Sequence, residues 1–296
     1  FFGSFVMQDT VAGIILRSLN KNLSTKYEFE SVRLSYLKKF PKATLDLKNV
    51  LVHSSPGFDK TCFAGINTDT LLSAASVSIE FSLTDVIKGI YNIDRIGIRE
   101  GRLNLFTDTS GFVNYEISVE RPEVTSENFI LNLDRINVSD VKTTYSNLAT
   151  KLLIKGLIEN GHLKSRIVGS DIDFTARGEL RIDLFKLYNF NISKNIAADI
   201  DINLHSSDKG TLFNKSSLLL DNYYFGLVGF ISTDDILDLS LTGENIDISA
   251  IKDYLPKKYQ SRIADYNPSG VININSRVKG LMTRTLNPGI EIAFNV

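Results

Sequence analysis

The feature that most constrains the fold is a period-two alternation of apolar and polar residues, which returns in strand-length segments along most of the chain. Between Ser76 and Leu83, apolar residues occupy every second position, and Ser or Glu occupies the positions between them. Successive side chains of a β-strand point to opposite faces of the sheet, so this pattern predicts strands with one apolar and one wet face. We therefore expect a mainly β protein with a few helices, an α+β fold built around a long antiparallel sheet.

Turn-forming clusters separate the alternating segments in the second half of the chain. Gly, Asn, Asp and Ser are concentrated at positions 160–161, 207–210 and 233–235. Such clusters are typical of the short connections between antiparallel strands. The repetition is one of pattern and not of residues, so it predicts a repetitive sheet rather than an array of identical modules.

Three segments favour helix over strand. A first helix is predicted from Asp9 to about Leu23, since Asp9 can cap its start. The apolar stripe of this helix comprises Val11, Ile14, Ile15, Ser18 and Leu19. One helical turn is predicted from Ser82 to Gly89, and a further helix from Asp247 to about Ala264 with a break at Pro256.

A proline marks the predicted domain boundary. Pro122 follows a mixed helix-and-strand part and precedes a part that is mostly repetitive sheet. We therefore divide the chain into 1–121 and 122–296. In the first part, Val77, Ile79, Phe81 and Leu83 are expected to form core beneath the first helix.

Composition narrows the functional class. The chain has 296 residues, of which 43% are hydrophobic and 23% charged, so it can bury a large core and is not expected to be disordered. The net charge of −1 gives no basic footprint for nucleic acid. The single cysteine, Cys62, permits no internal disulfide and leaves the redox compartment open.

Both ends of the sequence resemble cuts in a longer chain. The sequence starts with Phe1 and Phe2 instead of Met, and it stops within an alternating segment that ends at Val296. No apolar run reaches the roughly 20 residues of a transmembrane helix. We expect the Phe-rich start to be either the end of a membrane anchor or the lead-in to a buried helix.

A search for catalytic or metal-binding chemistry gives no strong candidate. His53, His162 and His205 are far apart in sequence and lack a metal-ligand spacing, and Cys62 lacks a partnered motif. The carboxylate pairs Asp171/Asp173 and Asp199/Asp201 are expected to form a polar outer face and not a Ca²⁺ site. The aromatic residues Tyr223, Tyr224, Phe225 and Phe230 are expected in a core or groove. We therefore predict a protein that is not an enzyme and that needs no metal or cofactor.

A series of motifs in the first half has a recognisable order. The series runs through Phe40-Pro41, the strand Leu45–Val50, Leu71-Leu72-Ser73-Ala74, Val77-Ser78-Ile79, the turn Ser82–Gly89, the strand residues Ile93, Ile96 and Ile98, and Asp108, Gly111, Asn114 and Tyr115. Later matches are Asp247-Ile248, Leu255-Pro256, Gly270, Lys279-Gly280 and Asn287-Pro288. In order and spacing the chain resembles the AsmA family, and within it the Bacteroidetes-type homologues. It departs from the family at Ser24–Tyr27, where a Gly-Arg pair is common.

The resemblance implies a bridge-like lipid-transfer protein of the Gram-negative envelope. A member of this family would have a curved or twisted sheet that forms a groove, or taco-like trough, behind an N-terminal helix. It would lie at the periplasmic face of the inner membrane, anchored by a helix just upstream of Phe1, with 1–121 as an end module and 122–296 as an incomplete groove segment. Its partners would be phospholipid acyl chains and an outer-membrane or other envelope protein.

The predicted lipid contacts are the alternating apolar residues beyond Pro122. They are Leu131, Leu133, Ile167, Phe174, Ile182, Ile200, Ile202, Leu204, Phe225, Leu227, Leu239, Ile272 and Ile274. Two other functions fit the same pattern: an assembly factor for outer-membrane proteins or lipopolysaccharide that carries no lipid, and a closed β-sandwich binding module. Alternation alone does not separate an open groove from a closed core.

Overall fold

The computed structural model forms two compact units, Phe1–Asn160 (unit 1) and Gly161–Val296 (unit 2). The residues that it describes are 12–13, 16–17, 20, 23–35, 40–63, 67–88, 93–117, 131–168, 171–188, 190–251, 260, 265–282, 286 and 288–295. The predicted boundary at Pro122 lies outside these residues. The division between the units falls within a long strand of the second half of the chain.

The prediction of a mainly β protein with few helices is confirmed. The strands are β1 Tyr27–Glu28, β2 Ser31–Ser35, β3 Lys42–His53, β4 Thr70–Ser82, β5 Ile93–Thr107, β6 Leu131–Asn147, β7 Leu152–Val168, β8 Asp171–Leu187, β9 Phe190–Ile192, β10 Ile196–Ser207, β11 Gly210–Leu220, β12 Tyr223–Ser232, β13 Ile236–Asp247, β14 Val271–Leu281 and β15 Gly289–Asn295. These fifteen strands belong to one sheet. The described helices are α1 Leu83–Ile87, α2 Ile248–Ile251 and a 3₁₀ turn at Lys60–Cys62.

Unit 1 corrects the expectation of an antiparallel sheet at one place. Its strands follow the order β1-β3-β4-β5-β6-β7, with β2 also paired to β3. Strand β6 runs parallel to β5, in a register that places Ile96 beside Ile136 and Leu103 beside Thr143. A parallel pair needs a long crossover, and residues 108–130 provide it. The prediction was wrong here because the period-two pattern is the same in parallel and antiparallel strands.

Unit 2 is antiparallel in every strand pair that the structure describes there. Its strands follow the order β8-β10-β11-β12-β13-β14-β15, and β9 pairs with the end of β8. Neighbouring strands are joined by short turns such as 208–209 and 221–222. Left-handed backbone at Asp221 and Asp235 accommodates two of these connections.

The core of unit 1 is a closed apolar cluster on one side of β3, β4 and β5. Val77, Ile79, Phe81 and Leu83 are each at most 9% exposed, which confirms the prediction that they form core. Other buried members of the cluster are Ala12, Leu34, Ala43, Leu45, Leu47, Val50, Ala74 and Val86. The described residues of the predicted first helix are helical at 12–13, 16–17 and 20, and Ala12 and Leu16 pack on this cluster. The apolar stripe predicted for this helix lies outside the described residues.

Two predicted helix starts are present. The Ser82 side chain accepts a hydrogen bond from the Asp85 amide at 3.3 Å, and the Leu83 amide donates to the Pro41 carbonyl at 2.9 Å. This cap fixes α1 where the sequence predicts it, while Gly89 lies outside the described residues. The Asp247 carboxylate accepts from the Ser249 amide at 2.8 Å at the start of α2. The rest of that predicted helix is described only at Gln260.

The motif Asp108–Tyr115 folds into a buried polar junction. The Asp108 carboxylate accepts hydrogen bonds from the amides of Ser110 and Phe112, at 2.7 and 3.0 Å. The Asn114 side chain is fully buried; its amide group accepts from the Phe106 amide at 2.8 Å and donates to Ser54 Oγ at 3.1 Å. This junction joins the segment after β5 to the loop that follows β3, so the role of the motif here is structural.

A crease crosses four strands of unit 1 at one level. Asn49, Glu100 and Asp140 have left-handed backbone, with φ of 49°, 52° and 56°. The pairing on either side places Asn49, Ala75, Glu100 and Asp140 in one row across β3, β4, β5 and β6. In each of the four strands, the positions that face the core shift by one residue at this row. Because the shifts occur together, the core face stays continuous across the crease.

Candidate functional site

The register of unit 2 places its apolar residues on one face of the sheet. Residues directly opposite each other in an antiparallel pair have their side chains on the same side. Ile200 pairs with Leu218, and Leu218 pairs with Phe225. Phe225 in turn pairs with Gly243, which pairs with Ile274. A continuous apolar face therefore crosses β8 and β10–β15; we refer to it as the apolar face of unit 2.

Ten of the predicted lipid contacts lie on this face. They are Phe174, Ile182, Ile200, Ile202, Leu204, Phe225, Leu227, Leu239, Ile272 and Ile274. The side chains of Leu131, Leu133 and Ile167 lie outside the described residues. One-residue bulges occur at Lys215 and Asn245, both of which have left-handed backbone. Because of the extra residue, the apolar side chains before and after each bulge lie on the same face of the sheet.

The opposite face of unit 2 is charged and internally paired. Arg177 Nε lies 3.0 Å from Asp201 Oδ2, and His205 Nδ1 lies 2.8 Å from Asp173 Oδ1. Arg277 donates to both carboxylate oxygens of Asp238, from Nε at 3.0 Å and from Nη2 at 2.9 Å. The hydrogen bond from Arg277 lowers the pKa of Asp238. The predicted polar outer face is thus confirmed for Asp173 and Asp201.

The apolar face is less buried than a closed core. Phe174, Ile200, Phe225, Leu227 and Leu239 are half-buried. On β15, Ile290 and Ile292 are 63% exposed and Phe294 is 66% exposed. Strand β15 is therefore an apolar surface that no described residue covers.

One part of the face forms a partly open cavity. It has a volume of about 350 Å³ and presents only apolar surface. The lining residues are Ile182, Phe185, Phe190, Ile192, Ile196, Leu220, Tyr223, Phe225, Ile246 and Ile274. Three of the predicted contacts, Ile182, Phe225 and Ile274, are brought together here.

The cavity requires the sheet of unit 2 to bend. Ile182 lies on β8 and Ile274 on β14, five strand spacings apart, which is about 24 Å in a flat sheet. Both side chains line one cavity of about 350 Å³. The strand segments around Ile182, Ile196, Leu220, Ile246 and Ile274 therefore converge on this cavity.

A register irregularity in the hairpin of β8 and β9 adds two side chains to the lining of the cavity. Ile182 pairs with Ile196, whereas the next pair along the β8 hairpin is Phe185 with Ile192. Two residues of β8 are thus opposite three residues at 193–195, and this mismatch turns Phe185 and Ile192 towards the cavity. The rings of Phe185 and Phe190 meet edge to face with centroids 6.2 Å apart.

Gly243 lies next to two of the side chains that line the cavity, Phe225 and Ile246. A β-carbon at this position would stand 2.7 Å from Ile246 Cδ1 and 3.3 Å from the Phe225 ring. Phe225 and Ile246 both line the cavity, so they occupy the space above this glycine. A larger residue at 243 would therefore push them into the cavity.

The sequence analysis missed six lining residues, which are Phe185, Phe190, Ile192, Ile196, Leu220 and Ile246. Phe185 and Ile192 do not continue the alternation of the neighbouring residues, because the register irregularity at 193–195 determines on which face their side chains lie. Ile196 and Leu220 follow the alternation but lie at strand ends, whereas Ile246 lies beyond the bulge at Asn245. Of the four predicted aromatic residues, Tyr223 and Phe225 line the cavity, and the register places Tyr224 and Phe230 on the opposite face.

The other candidate groups do not converge. Among the described residues, no group of three His, Cys, Asp or Glu side chains could hold a metal ion. The Cys62 thiol donates to Asp59 at 3.4 Å, and this hydrogen bond raises the pKa of the thiol, which disfavours the reactive thiolate. In the part of the chain that the structure describes, no helix combines the length and apolar character needed to cross a membrane.

Comparisons with protein-family models, curated proteins and solved structures find no match to this chain. Membership of the AsmA family therefore stays a prediction from the motif order.

Proposed function

We propose that the apolar face of unit 2 binds the acyl chains of phospholipids and that the protein moves lipid without catalysing a reaction. The observation that carries this proposal is the continuous apolar face across β8 and β10–β15, which is mostly half-buried or exposed and lies opposite a charged face. A closed sandwich would bury that face under a second layer of structure. An acyl chain is a ligand whose chemistry matches an apolar surface of this length.

The energetics favour such a surface. Moving an acyl chain from a bilayer into water costs about 0.8 kcal/mol per methylene, or roughly 12 kcal/mol for a chain of about 16 carbons. Contacts with Ile, Leu and Phe side chains along the face would offset most of that cost. The polar headgroup could remain in water beside the sheet.

The wider role follows from the resemblance in sequence. We infer an envelope protein of a Gram-negative bacterium, located at the periplasmic face of the inner membrane, that helps supply phospholipid to the outer membrane. In this role 1–121 is an end module and 122–296 is a segment of a longer groove. The alternative is an assembly factor for outer-membrane proteins or lipopolysaccharide that carries no lipid.

The test uses two neighbouring residues on opposite faces of β12. Leu227 lies on the apolar face, whereas Val228 lies on the charged face and is 43% exposed. Uptake of a fluorescent phospholipid from vesicles, and native mass spectrometry without detergent, would be measured for the wild type, Leu227→Asp and Val228→Asp. We expect Leu227→Asp to lower lipid uptake at least tenfold, because a carboxylate on the face would have to be desolvated by the chain.

Val228→Asp is the matched control, because it adds the same charge to the same strand on the other face. It should retain lipid uptake close to the wild-type level. Equal losses in both variants, or no lipid bound by the wild type, would reject the proposal. Circular dichroism of each variant would verify that it folds.

A further inference from the structure

We propose that the cavity lined by Phe185, Phe190 and Ile246 is an end pocket that holds the terminal part of one unbranched alkyl chain and thereby selects chain length. This inference rests on the proposed binding of acyl chains by the apolar face. It adds a defined place where a bound chain stops.

The lining determines the chemical class of the occupant. A buried water molecule needs two to four polar partners, and apolar cavities stay dry and take up apolar ligands. Nine of the ten lining residues are Ile, Leu or Phe, and the tenth, Tyr223, contributes to a surface that is entirely apolar. The cavity therefore fits a hydrocarbon group and has no counterpart for a headgroup.

The volume determines how much of a chain can enter. At about 30 Å³ for each water-sized group, a cavity of about 350 Å³ holds of the order of ten carbon atoms. A longer acyl chain would continue out of the cavity onto the apolar face. Residues of that face such as Ile200 and Leu218 lie further along the strands that supply Ile196 and Leu220.

The cavity lies beside the ends of several strands, so a bound alkyl chain would end there and would not pass through. Leu220 and Tyr223 flank the turn between β11 and β12, and Ile246 lies at the end of β13. The hairpin of β8 and β9 adds Phe185 and Phe190 beside these strand ends. A chain that follows the strands towards this end would meet these side chains and stop.

The test changes the cavity in opposite directions. Gly243→Val should displace Phe225 and Ile246 into the cavity and reduce it, since a β-carbon there already lies 2.7 Å from Ile246 Cδ1. Phe190→Ala should enlarge it. Binding would be measured by native mass spectrometry with an equimolar mixture of single-chain phosphatidylcholines with saturated tails of about ten to eighteen carbons.

We expect Gly243→Val to shift the preferred tail to shorter chains, with at least a fivefold loss for the longest tail relative to the shortest. Phe190→Ala should shift the preference in the opposite direction. Gly226→Ala is the control, because its added β-carbon meets only Thr242 Oγ1 of β13 at 2.6 Å and the Tyr224 ring of β12 at 3.9 Å, both on the face opposite the cavity. It should keep the wild-type preference.

The outcomes separate this inference from the proposed function. If the wild type binds none of the tails, both are overturned. If the wild type binds lipid but all variants keep one chain-length preference, or if a sterol competes better than every linear tail, the end pocket alone is rejected. Gly243→Ala replaces Gly243→Val if the valine variant does not fold.

Discussion

Units 1 and 2 are built from the same alternating pattern but use their apolar faces differently. In unit 1, eighteen described apolar residues are buried, including Phe81 at 1% and Leu45 at 0% exposure. In unit 2, only Ala176, Ile196, Ala198 and Ile246 reach that level among the described apolar residues. A pattern that predicts an apolar face thus does not determine whether other elements will cover it.

In unit 1, the apolar face of β3, β4 and β5 is covered by other elements of the unit. Ala12 and Leu16 of the helical residues near the N-terminus, Val86 of α1 and Leu34 of β2 all pack on the cluster. In unit 2, the corresponding face has the β8–β9 hairpin over one end and exposed residues such as Ile292 at the other. The first arrangement stabilises a fold, and the second leaves apolar surface that no described residue covers.

The strongest way to break this comparison is to place a charge on each face. Ile79→Asp in unit 1 should destabilise the protein by more than about 4 kcal/mol, because Ile79 is 5% exposed and a carboxylate there would be buried without a partner. Ile202→Asp in unit 2 should cost about 1 to 2 kcal/mol, since Ile202 is half-buried. Urea denaturation followed by hydrogen exchange and mass spectrometry would resolve the two units. Similar losses at both sites would contradict the contrast.

Truncation of a large side chain sharpens the same contrast. Phe81→Ala should lower the free energy of unfolding by about 3 to 5 kcal/mol through the cavity that it leaves. Phe225→Ala should lower it by less than about 2 kcal/mol, because the ring is only half-buried beside a cavity. The same variant should lose lipid binding while Phe81→Ala at low temperature retains it. The measurements are denaturant titration and the vesicle uptake assay.

A third prediction concerns the polar junction of unit 1. Asn114→Ala should destabilise unit 1 by about 2 to 4 kcal/mol, because the Phe106 amide and Ser54 Oγ would lose a partner in a buried site. Asn191→Ala, an exposed position on β9, should change stability by less than about 0.5 kcal/mol. Protection of β5 amides in hydrogen exchange would report the effect locally. Equal effects at both positions would show that the junction is not needed.

The smallest effect is expected on the charged face of unit 2. Arg277 holds the pKa of Asp238 below its ordinary value, so this pair adds stability above the unfolded pKa of about 3.9 and loses it as pH falls through the lower folded pKa. Arg277→Gln should raise the pKa of Asp238 towards its ordinary value, as measured by carboxylate NMR. Lipid uptake at neutral pH should not change, because this face is opposite the proposed binding surface.

The sequence predicts the faces better than the connections between strands. The alternation places Ile200, Phe225 and Ile274 on one face because each side chain follows its strand. It does not reveal that β5 and β6 are parallel, since strand direction leaves no trace in a period of two. It also does not predict the cavity. Phe185 reaches the cavity because two residues of β8 lie opposite the three residues 193–195, and this mismatch is determined by the strand pairing.

The motif at Asp108–Tyr115 illustrates the opposite case. Its residue types stand out in the sequence, yet their roles are a turn and a buried junction and not chemistry. Asn114 satisfies the amide of Phe106, eight residues before it, and groups of Ser54 and Ser55, which lie 60 and 59 residues before it in the loop after β3. Local spacing predicts the turn, and long-range packing determines the rest.

The crease of unit 1 has a consequence for how this region can change in length. Its four strands shift phase at the same row, so the deletion of one residue near Asn49, Glu100 or Asp140 would turn half of a strand inside out unless its neighbours changed as well. Insertions and deletions in this region should therefore be accepted only as coordinated sets across adjacent strands. In relatives of this chain, gaps at these three positions should appear or disappear together.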